Sequence, residues 1–279
     1  MLSAILNGKG RRLPETIAAG SSLRAAFSKS EDMLTASVFE RLAYLDAPVL
    51  WKLLVATFAP RILPDEQRVE LVSVEFWPMW SEASNEIGKS VEPDVVLRLD
   101  VGDPARRIAL IVECKLDSFQ YPDQWAQEWK ACQAEMASSD EVQGTYFLAL
   151  GGFRERPEQL VSRFTEFIRQ KHALEIKAAA ASWSDLLKAV SRMQPDCQRT
   201  RRVLADIYLA LELHGFREFR GLNDLAAMPQ FRSLRDLDDA LTRWKTPSQA
   251  RAVRDWSFLD SSVPNRPITH HSILAKHWK

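Results

Sequence analysis

Residues 93–115 read PDVVLRLDVGDPARRIALIVECK. A mainly apolar stretch at 95–99, which includes Arg98, and an apolar run at 108–112 stand on either side of a Gly-Asp-Pro sequence at 102–104. This sequence is typical of a turn. Apolar runs joined by a short turn predict an antiparallel β-hairpin. The second run is apolar at five consecutive positions, so we expect its strand to be covered on both faces.

Acidic and basic side chains stand at the open end of this hairpin. If the turn is centred on the Asp-Pro pair, Asp94 at the head of the first strand lies directly opposite Glu113 at the end of the second. The Cβ atoms of such a pair lie about 4.5–5.5 Å apart, close enough for both carboxylates to bind one hard cation. Because side chains alternate along a strand, Lys115 shares the face of Glu113, and Cys114 points the other way into the core.

The position of Glu113 favours a bound cation. An unpaired carboxylate at the end of a covered strand costs several kcal/mol, and a second carboxylate beside it raises that cost. Lys115 supplies one positive charge. Two carboxylates together with a third fit a divalent metal ion better than a simple ion pair.

A third acid is predicted from helical periodicity near the N-terminus. Ser30 is a typical N-cap for a helix that begins at Glu31, and the apolar face of this helix consists of Leu34, Val38, Leu42 and Leu45. At about 100° per residue, Glu31 lies about 60° from Leu34 and inside this face, whereas Glu40 lies at about 240° on the opposite face. We therefore prefer Glu31 as the third acid, and interpret Asp32 as a first-turn acid placed favourably near the helix dipole.

Periodicity along the chain predicts an α/β protein in the order αβββαβ, with one extra helix. The predicted helices span residues 31–45, 48–58, 123–137, 157–171, 182–190 and 198–213, and the predicted strands beyond the hairpin span residues 69–77, 145–150 and 176–181. These elements divide the chain into an N-terminal arm at 1–29, a core domain at 30–192, and a C-terminal helical region and tail at 193–279.

Composition limits the possible partners of this chain of 279 residues. Thirty-seven basic and 37 acidic residues give a formal charge of zero, so any site for a polyanion must be local. No apolar run approaches the roughly 18–20 residues of a membrane span, and early basic residues argue against a signal peptide, so we expect a cytoplasmic protein without a membrane partner. The three cysteines cannot all pair and lack the spacing of zinc ligands.

The pair Pro93-Asp94, followed by Glu113-Cys114-Lys115 on an αβββαβ order, resembles the PD-(D/E)XK phosphodiesterase superfamily. The resemblance covers roughly residues 31–150. It implies a restriction-endonuclease-like core with a mixed central sheet flanked by helices, to which this chain adds a C-terminal helical appendage. The sequence SEDMLT at 30–35 also resembles members associated with prokaryotic defence and restriction.

The resemblance implies a Mg²⁺ or Mn²⁺ ion bound by Asp94, Glu113, Glu31 and the main-chain carbonyl of Cys114. Such an ion activates water for in-line attack on a phosphodiester. Lys115 would orient that water or offset the charge that builds on the phosphate.

Some branches of the superfamily add a glutamine on the helix after this strand, and Gln124 stands at that place. A catalytic role and a structural role for Gln124 are equally open, because it lies beside the stripe of Trp125 and Trp129. We interpret these tryptophans as core residues rather than a base-stacking platform, since they share one helical stripe with Cys132 and Met136.

Clusters of basic residues offer either a phosphate-binding face or an ordinary solvated surface, and the sequence favours neither. They comprise Arg154, Arg156, Arg163, Arg169 and Lys171, and further along Arg199, Arg201, Arg202, Arg217 and Arg220. The histidines near the end lack periodicity and are interpreted as part of a tail: His270, His271 and His277.

These observations predict a metal-dependent endonuclease that acts on DNA in prokaryotic defence or DNA processing, with RNA as the alternative substrate. The competing hypothesis is a noncatalytic nucleic-acid-binding or scaffold subunit of a larger defence or repair complex. The zero net charge and the lack of a zinc finger or basic zipper motif favour this second hypothesis. The sequence predicts neither a cleavage specificity nor an oligomeric state.

Overall fold

The computed structural model describes residues 2–7, 27, 29–81, 90–137 and 142–218. Its helices are α1 (Leu2–Leu6), α2 (Glu31–Leu42), α3 (Ala47–Thr57), α4 (Pro122–Ala137), α5 (Pro157–His172), α6 (Trp183–Arg192) and α7 (Gln198–Leu213). Its strands are β1 (Val69–Phe76), β2 (Trp80–Ser81), β3 (Ser90–Val91), β4 (Val95–Val101), β5 (Arg106–Cys114), β6 (Gly144–Leu150) and β7 (Ala178–Ala181).

Five strands form one mixed sheet in the order β1-β4-β5-β6-β7. Strands β1, β4 and β5 pair antiparallel, and β6 and β7 continue parallel to β5. Each parallel pair needs a crossover, and helices α4 and α5 supply them. The chain is therefore an α/β protein with a mixed sheet flanked by helices, as predicted. The short β2–β3 pair was not predicted, because two-residue strands carry no periodic signal.

The hairpin of β4 and β5 has the predicted register. Val95 pairs with Val112 at the open end, and Val101 pairs with Arg106 beside the turn. The next step outward sets Asp94 opposite Glu113. Strand β5 is buried from Ile108 through Cys114, as expected for a strand between two neighbours and two helical layers.

Alternate residues of β5 face two separate hydrophobic cores. The core that contains Val112 and Cys114 also contains side chains of α2, α3, α6 and α7, whereas the core that contains Ile111 is completed by α4 and α5. Cys114 is fully buried in the first core, which confirms the predicted direction of its side chain. The predicted core positions of Trp125 and Trp129 on α4 are also confirmed.

Helix α2 begins at Glu31, where the hydroxyl of Ser30 accepts a hydrogen bond of 3.3 Å from the main-chain N–H of Met33 and caps the helix as predicted. The helix ends at Leu42, so the predicted extension to Leu45 was wrong. The chain tightens into turns there, because the N–H of Leu45 bonds to the carbonyl of Leu42, three residues back, at 3.1 Å.

Helix α7 packs against α2 and α6, and its Leu204, Ile207 and Leu211 join the core on that face of the sheet. The predicted boundary near 192–197 falls in the connection between α6 and α7. Arg220, His270, His271 and His277 lie outside the described residues. Within the described ranges, no helix combines the length and apolar character needed to cross a membrane.

Candidate active site

Asp94 stands immediately before β4, at the open end of the hairpin. Its Oδ2 accepts a hydrogen bond of 2.8 Å from the main-chain N–H of Cys114, and its Oδ1 accepts one of 3.0 Å from the indole N–H of Trp77. Burial and the nearby charge of Glu113 raise the pKa of Asp94 well above its usual range, although the N–H of Cys114 opposes this. The carboxylate is thus held in place from both strands that flank it.

Trp77 was not predicted as a site residue. It has a φ of 49°, which is uncommon for a bulky side chain, and its main-chain N–H also bonds to the carbonyl of Asp94 at 3.0 Å. This left-handed residue follows β1 directly and turns the indole toward Asp94. No local pattern marks a tryptophan after a strand as a partner of a distant aspartate.

Glu113 is 1% exposed, and it projects toward α4 on the face opposite Cys114. Its Oε1 accepts a hydrogen bond of 2.6 Å from the amide of Gln124 and forms an ion pair with Lys115. Within the described residues, no donor reaches Glu113 Oε2, although that atom is buried. Burial raises the pKa of Glu113, while the charge of Lys115 partly counteracts this shift.

Lys115 lies between two acids, because its Nζ pairs with Glu113 and stands 3.6 Å from Glu31 Oε1. Burial by itself lowers the pKa of Lys115. The charges of Glu113, Asp94 and Glu31 outweigh burial, so its pKa is raised above the ordinary value. This shift favours the protonated, cationic form of Lys115 over a role as proton acceptor.

The main chain of Lys115 is held by the last residue of β6 and the first residue of α6. Its N–H bonds to the carbonyl of Leu150 at 2.8 Å, and its carbonyl accepts a bond of 2.9 Å from the indole of Trp183. Gly151 and Gly152 both have a φ of 75°. A Cβ on Gly151 would overlap the carbonyl oxygen of Lys115, and one on Gly152 would lie 2.5 Å from its Cβ. The two glycines allow this close approach.

Glu31 reaches the site from the N-terminus of α2. Its Oε2 accepts hydrogen bonds of 2.6 Å from the main-chain N–H of Leu116 and of 3.2 Å from the hydroxyl of Ser118. Glu31 therefore positions the segment that follows β5 through these two bonds, and its other oxygen faces Lys115. Glu40, on the opposite side of α2, accepts a bond from the main-chain N–H of Ser3 instead.

Gln124 contacts two acids, and one of them, Glu128, was missed in the sequence. The Gln124 amide donates to Glu128 Oε1 at 2.8 Å as well as to Glu113. Glu128 is 1% exposed, and burial together with the charge of Glu113 raises its pKa well above its usual range. Its spacing of four residues from Gln124 places both on one helical face, which is the signal that could have identified it.

Glu113 and Glu128 each have one carboxylate oxygen that lacks a hydrogen-bond donor among the described residues. Within the described residues, Oε2 of each is buried without a hydrogen-bond donor. A proton on Glu128 allows its carboxyl to donate to Glu113, and this contact lowers the pKa of Glu113 and raises that of Glu128. A cation beside Glu113 is the other way to compensate its buried oxygen.

The donor set suits a hard divalent cation, because carboxylate and carbonyl oxygens are the ligands that such ions prefer. In the described part of the chain, no three His, Cys, Asp or Glu side chains are gathered as ligands of a metal ion. The acids instead turn toward N–H donors and toward Lys115. Oε2 of Glu113, which is buried without a hydrogen-bond donor among the described residues, is the atom in this set that fits a cation.

Comparison with known proteins shows a similarity to an uncharacterized protein. The chain is similar to an uncharacterized protein of Pasteurella multocida (strain Pm70), with 28% identity over 229 residues that cover 78% of this chain and 81% of that protein. No family model matches the chain, and no solved structure matches it.

Most of the basic residues on α5 and the loop before it are neutralised. Arg163 pairs with Glu155, Arg169 pairs with Glu166 at 2.7 Å, and Lys171 pairs with Asp123 at 2.8 Å. These pairs reduce the local positive charge of the predicted cluster. Arg154 and Arg156 of the same cluster form no ion pair with a described carboxylate.

Proposed function

We propose that this protein is a metal-dependent endonuclease that hydrolyses phosphodiester bonds of DNA. The observation that carries the proposal is the convergence of Asp94, Glu113, Glu31 and Lys115 at the open end of the β4–β5 hairpin. A partly buried lysine among acids of which Glu113 is 1% exposed is an unfavourable arrangement for stability alone, because each ion that is withdrawn from water loses hydration. Perturbed acids and bases of this kind concentrate at functional sites.

The cation of the proposed enzyme is Mg²⁺ or Mn²⁺, and Asp94, Glu113, Glu31 and the carbonyl of Cys114 would hold it. When bound, such an ion polarises a phosphoryl oxygen and lowers the pKa of a water molecule. Oε2 of Glu113 supports this choice of ligand, because it is buried without a donor in the part of the chain that the structure describes. The two N–H bonds to Asp94 keep its carboxylate at the same end of the hairpin.

Lys115 has the second role in the proposed reaction. Its ammonium group is kept protonated by the surrounding acids, so it donates hydrogen bonds and positive charge. The positive charge of Lys115 would stabilise the negative charge that develops on the oxygens of a phosphodiester in the site. The same N–H groups would orient an attacking water. Glu31 positions the chain beside Lys115 through its bond to the N–H of Leu116.

Metal titration with defined substrates tests the proposal. Plasmid DNA, single-stranded DNA and RNA are incubated with increasing Mg²⁺ or Mn²⁺, using the wild-type chain, Asp94→Ala and Asp100→Ala. Asp100 is a matched control, because it lies on β4, the strand that Asp94 precedes, near the turn end, where Arg107 donates to its carboxylate at 2.9 Å. We expect metal-dependent cleavage by the wild type and by Asp100→Ala, and loss of cleavage in Asp94→Ala.

Other outcomes distinguish the alternatives. Cleavage of RNA but not of DNA would support metal-dependent phosphodiester hydrolysis and show that the substrate is RNA. Binding of nucleic acid without cleavage at any metal concentration would contradict the enzyme and favour a noncatalytic subunit of a defence or repair complex. Equal cleavage by the wild type and by Asp94→Ala would show that the cleavage does not depend on Asp94, and would refute the candidate site.

A further inference from the structure

The segment between β5 and α4 carries two exposed aromatic side chains beside the candidate site. Phe119 is 51% exposed and Tyr121 is 57% exposed, whereas Gln120 between them is 4% exposed. Large aromatic groups are normally buried because of their apolar area. Both rings therefore present apolar area to solvent, two residues apart on one short segment.

The buried Gln120 fixes this segment. Its amide N–H groups donate to the main-chain carbonyls of Glu113 and Gly151, each at 3.2 Å, and its Oε1 accepts a bond of 2.8 Å from the indole of Trp125. Its main-chain N–H bonds to the carbonyl of Gly152 at 3.0 Å. The residue between the two rings is thus tied to the end of β5 and to the chain after β6. The aromatic side chains are therefore attached at fixed points next to Glu113, which reduces the entropy lost when a ligand stacks on them.

An arginine that forms no ion pair within the described residues lies near one of the rings. The guanidinium carbon of Arg154 lies 5.8 Å from the centroid of the Phe119 ring. Arg154 is exposed and forms no ion pair with any carboxylate of the described residues, unlike Arg163 and Arg169 on the helix that follows. Its charge is therefore available to a phosphate group.

We propose that Phe119, Tyr121 and Arg154 form a stacking surface for unpaired nucleobases, and that this surface directs single-stranded nucleic acid to the candidate site. This inference rests on the proposed function, and it specifies the substrate class. Aromatic rings and arginine bind single strands because each base has an exposed face on which they stack, while the backbone phosphates attract the cation. Bases in a duplex are stacked on each other and cannot lie flat on these rings. The zero net charge of the chain makes a local surface of this kind necessary for binding a polyanion.

The position of the surface relative to Lys115 supports this substrate. Ser118, next to Phe119, donates to Glu31 at 3.2 Å, and a Cβ on Gly152 would lie 2.5 Å from Lys115 Cβ and 3.1 Å from the carbonyl of Ser118. The stacking segment and the candidate reacting groups therefore lie side by side. A strand whose base rests on Phe119 would bring a neighbouring phosphate toward Lys115.

Binding measured without cleavage tests the inference. The full chain is titrated into fluorescein-labelled oligothymidylate, or into the duplex of that oligonucleotide with oligoadenylate, in EDTA at fixed salt, and anisotropy is recorded. We expect tighter binding of the single strand than of the duplex. Phe119→Ala combined with Tyr121→Ala should weaken single-strand binding by about 10-fold or more and leave duplex binding unchanged.

Matched variants separate stacking from loss of structure. Phe119→Trp combined with Tyr121→Phe keeps both rings and should retain single-strand affinity. Tyr44→Ala removes a ring that is 63% exposed in the turn between α2 and α3, and should bind like the wild type. Arg154→Ala should weaken binding and reduce its salt dependence.

Two results would overturn the inference. One is equal single-strand affinity of the wild type and the double alanine variant, which is also the result expected if a protein or a lipid surface covers these rings. The other is a preference for the duplex. The binding assay in EDTA does not depend on metal-dependent cleavage, so the two proposals can fail separately. A chain that binds single strands through these rings in EDTA but does not cut them when Mg²⁺ or Mn²⁺ is added would refute the proposed nuclease and keep the stacking surface.

Discussion

The carboxylate of Asp94 accepts a hydrogen bond of 2.8 Å from the main-chain N–H of Cys114. This bond joins the residue that precedes β4 to the last residue of β5, and it closes the open end of the hairpin. The Asp94 carboxylate is thereby held beside Glu113, whose charge helps to raise the pKa of Asp94. Two neighbouring acids with raised pKa values are costly to ionise, and a bound cation would stabilise their charged forms.

Asp94→Ala should reduce stabilisation by metal. A ligand that binds only the native state adds about 2.7 kcal/mol to the free energy of unfolding at one hundred times its dissociation constant. We expect a stabilisation of that order for the wild type with excess Mn²⁺ in urea unfolding, and at most about 1 kcal/mol for Asp94→Ala at the same concentration. Asp100→Ala should respond like the wild type. A wild-type midpoint that does not change with Mn²⁺ would argue against the proposed ion.

Lys115→Met should separate cation binding from catalysis. The variant keeps the length of the side chain and removes the charge that faces the phosphate, so we expect the single-turnover rate of cleavage to fall by about 100-fold or more. Mn²⁺ binding measured by calorimetry should persist. Lys188→Met is the control, since Lys188 is 51% exposed on α6 and pairs with Asp185 at 3.3 Å. Full activity of Lys115→Met would refute the role assigned to this lysine.

Glu128→Gln should stabilise the protein at neutral pH. Because the folded-state pKa of Glu128 is raised above its ordinary value of 4.5, folding favours its protonated form, and this stability is lost as pH rises from 4.5 through the folded-state pKa. Glutamine is neutral at every pH and can donate to Glu113. We expect an increase of about 1–3 kcal/mol in the free energy of unfolding at pH 7 and a much smaller difference at pH 4.

Urea unfolding at several pH values measures this effect. Glu135→Gln changes an exposed glutamate on the same helix and should alter stability much less. If Glu128→Gln is less stable than the wild type at neutral pH, Glu128 is ionised in the folded protein and its charge is compensated by a cation or donor.

Gly152→Ala should destabilise the segment that supports Lys115. Gly152 has a φ of 75°, and an added Cβ would lie 2.5 Å from the Cβ of Lys115, a distance that requires a shift of the main chain. We expect a loss of about 2 kcal/mol or more in the free energy of unfolding, measured by urea denaturation. Gly144→Ala is the control, because the nearest atoms to its added Cβ lie at an ordinary 3.5 Å. Equal free energies of unfolding for the two variants would show that the main chain at Gly152 shifts to accept a Cβ without loss of stability.

Local patterns in the sequence predict much of this fold. The Gly-Asp-Pro turn and the apolar runs on either side predict the hairpin and its register, and the structure pairs Val95 with Val112 as expected. Helical periodicity predicts that Glu31 lies on the buried side of α2, and Glu31 contacts the chain that leaves β5. These features depend on residues close together in the chain, where turn geometry and the periods of helix and strand determine which side chains share a face.

The tertiary structure decides which distant groups complete the site. Trp77 bonds to Asp94 because the residue that follows β1 is left-handed, and Glu128 approaches Glu113 because of the rotation of α4 on the sheet. Gln120 is buried because it fills the space between the ends of β5 and β6. None of these contacts follows from spacing along the chain. They depend on how apolar faces pack across the sheet, and packing sets helix rotation and loop path through many contacts that act together.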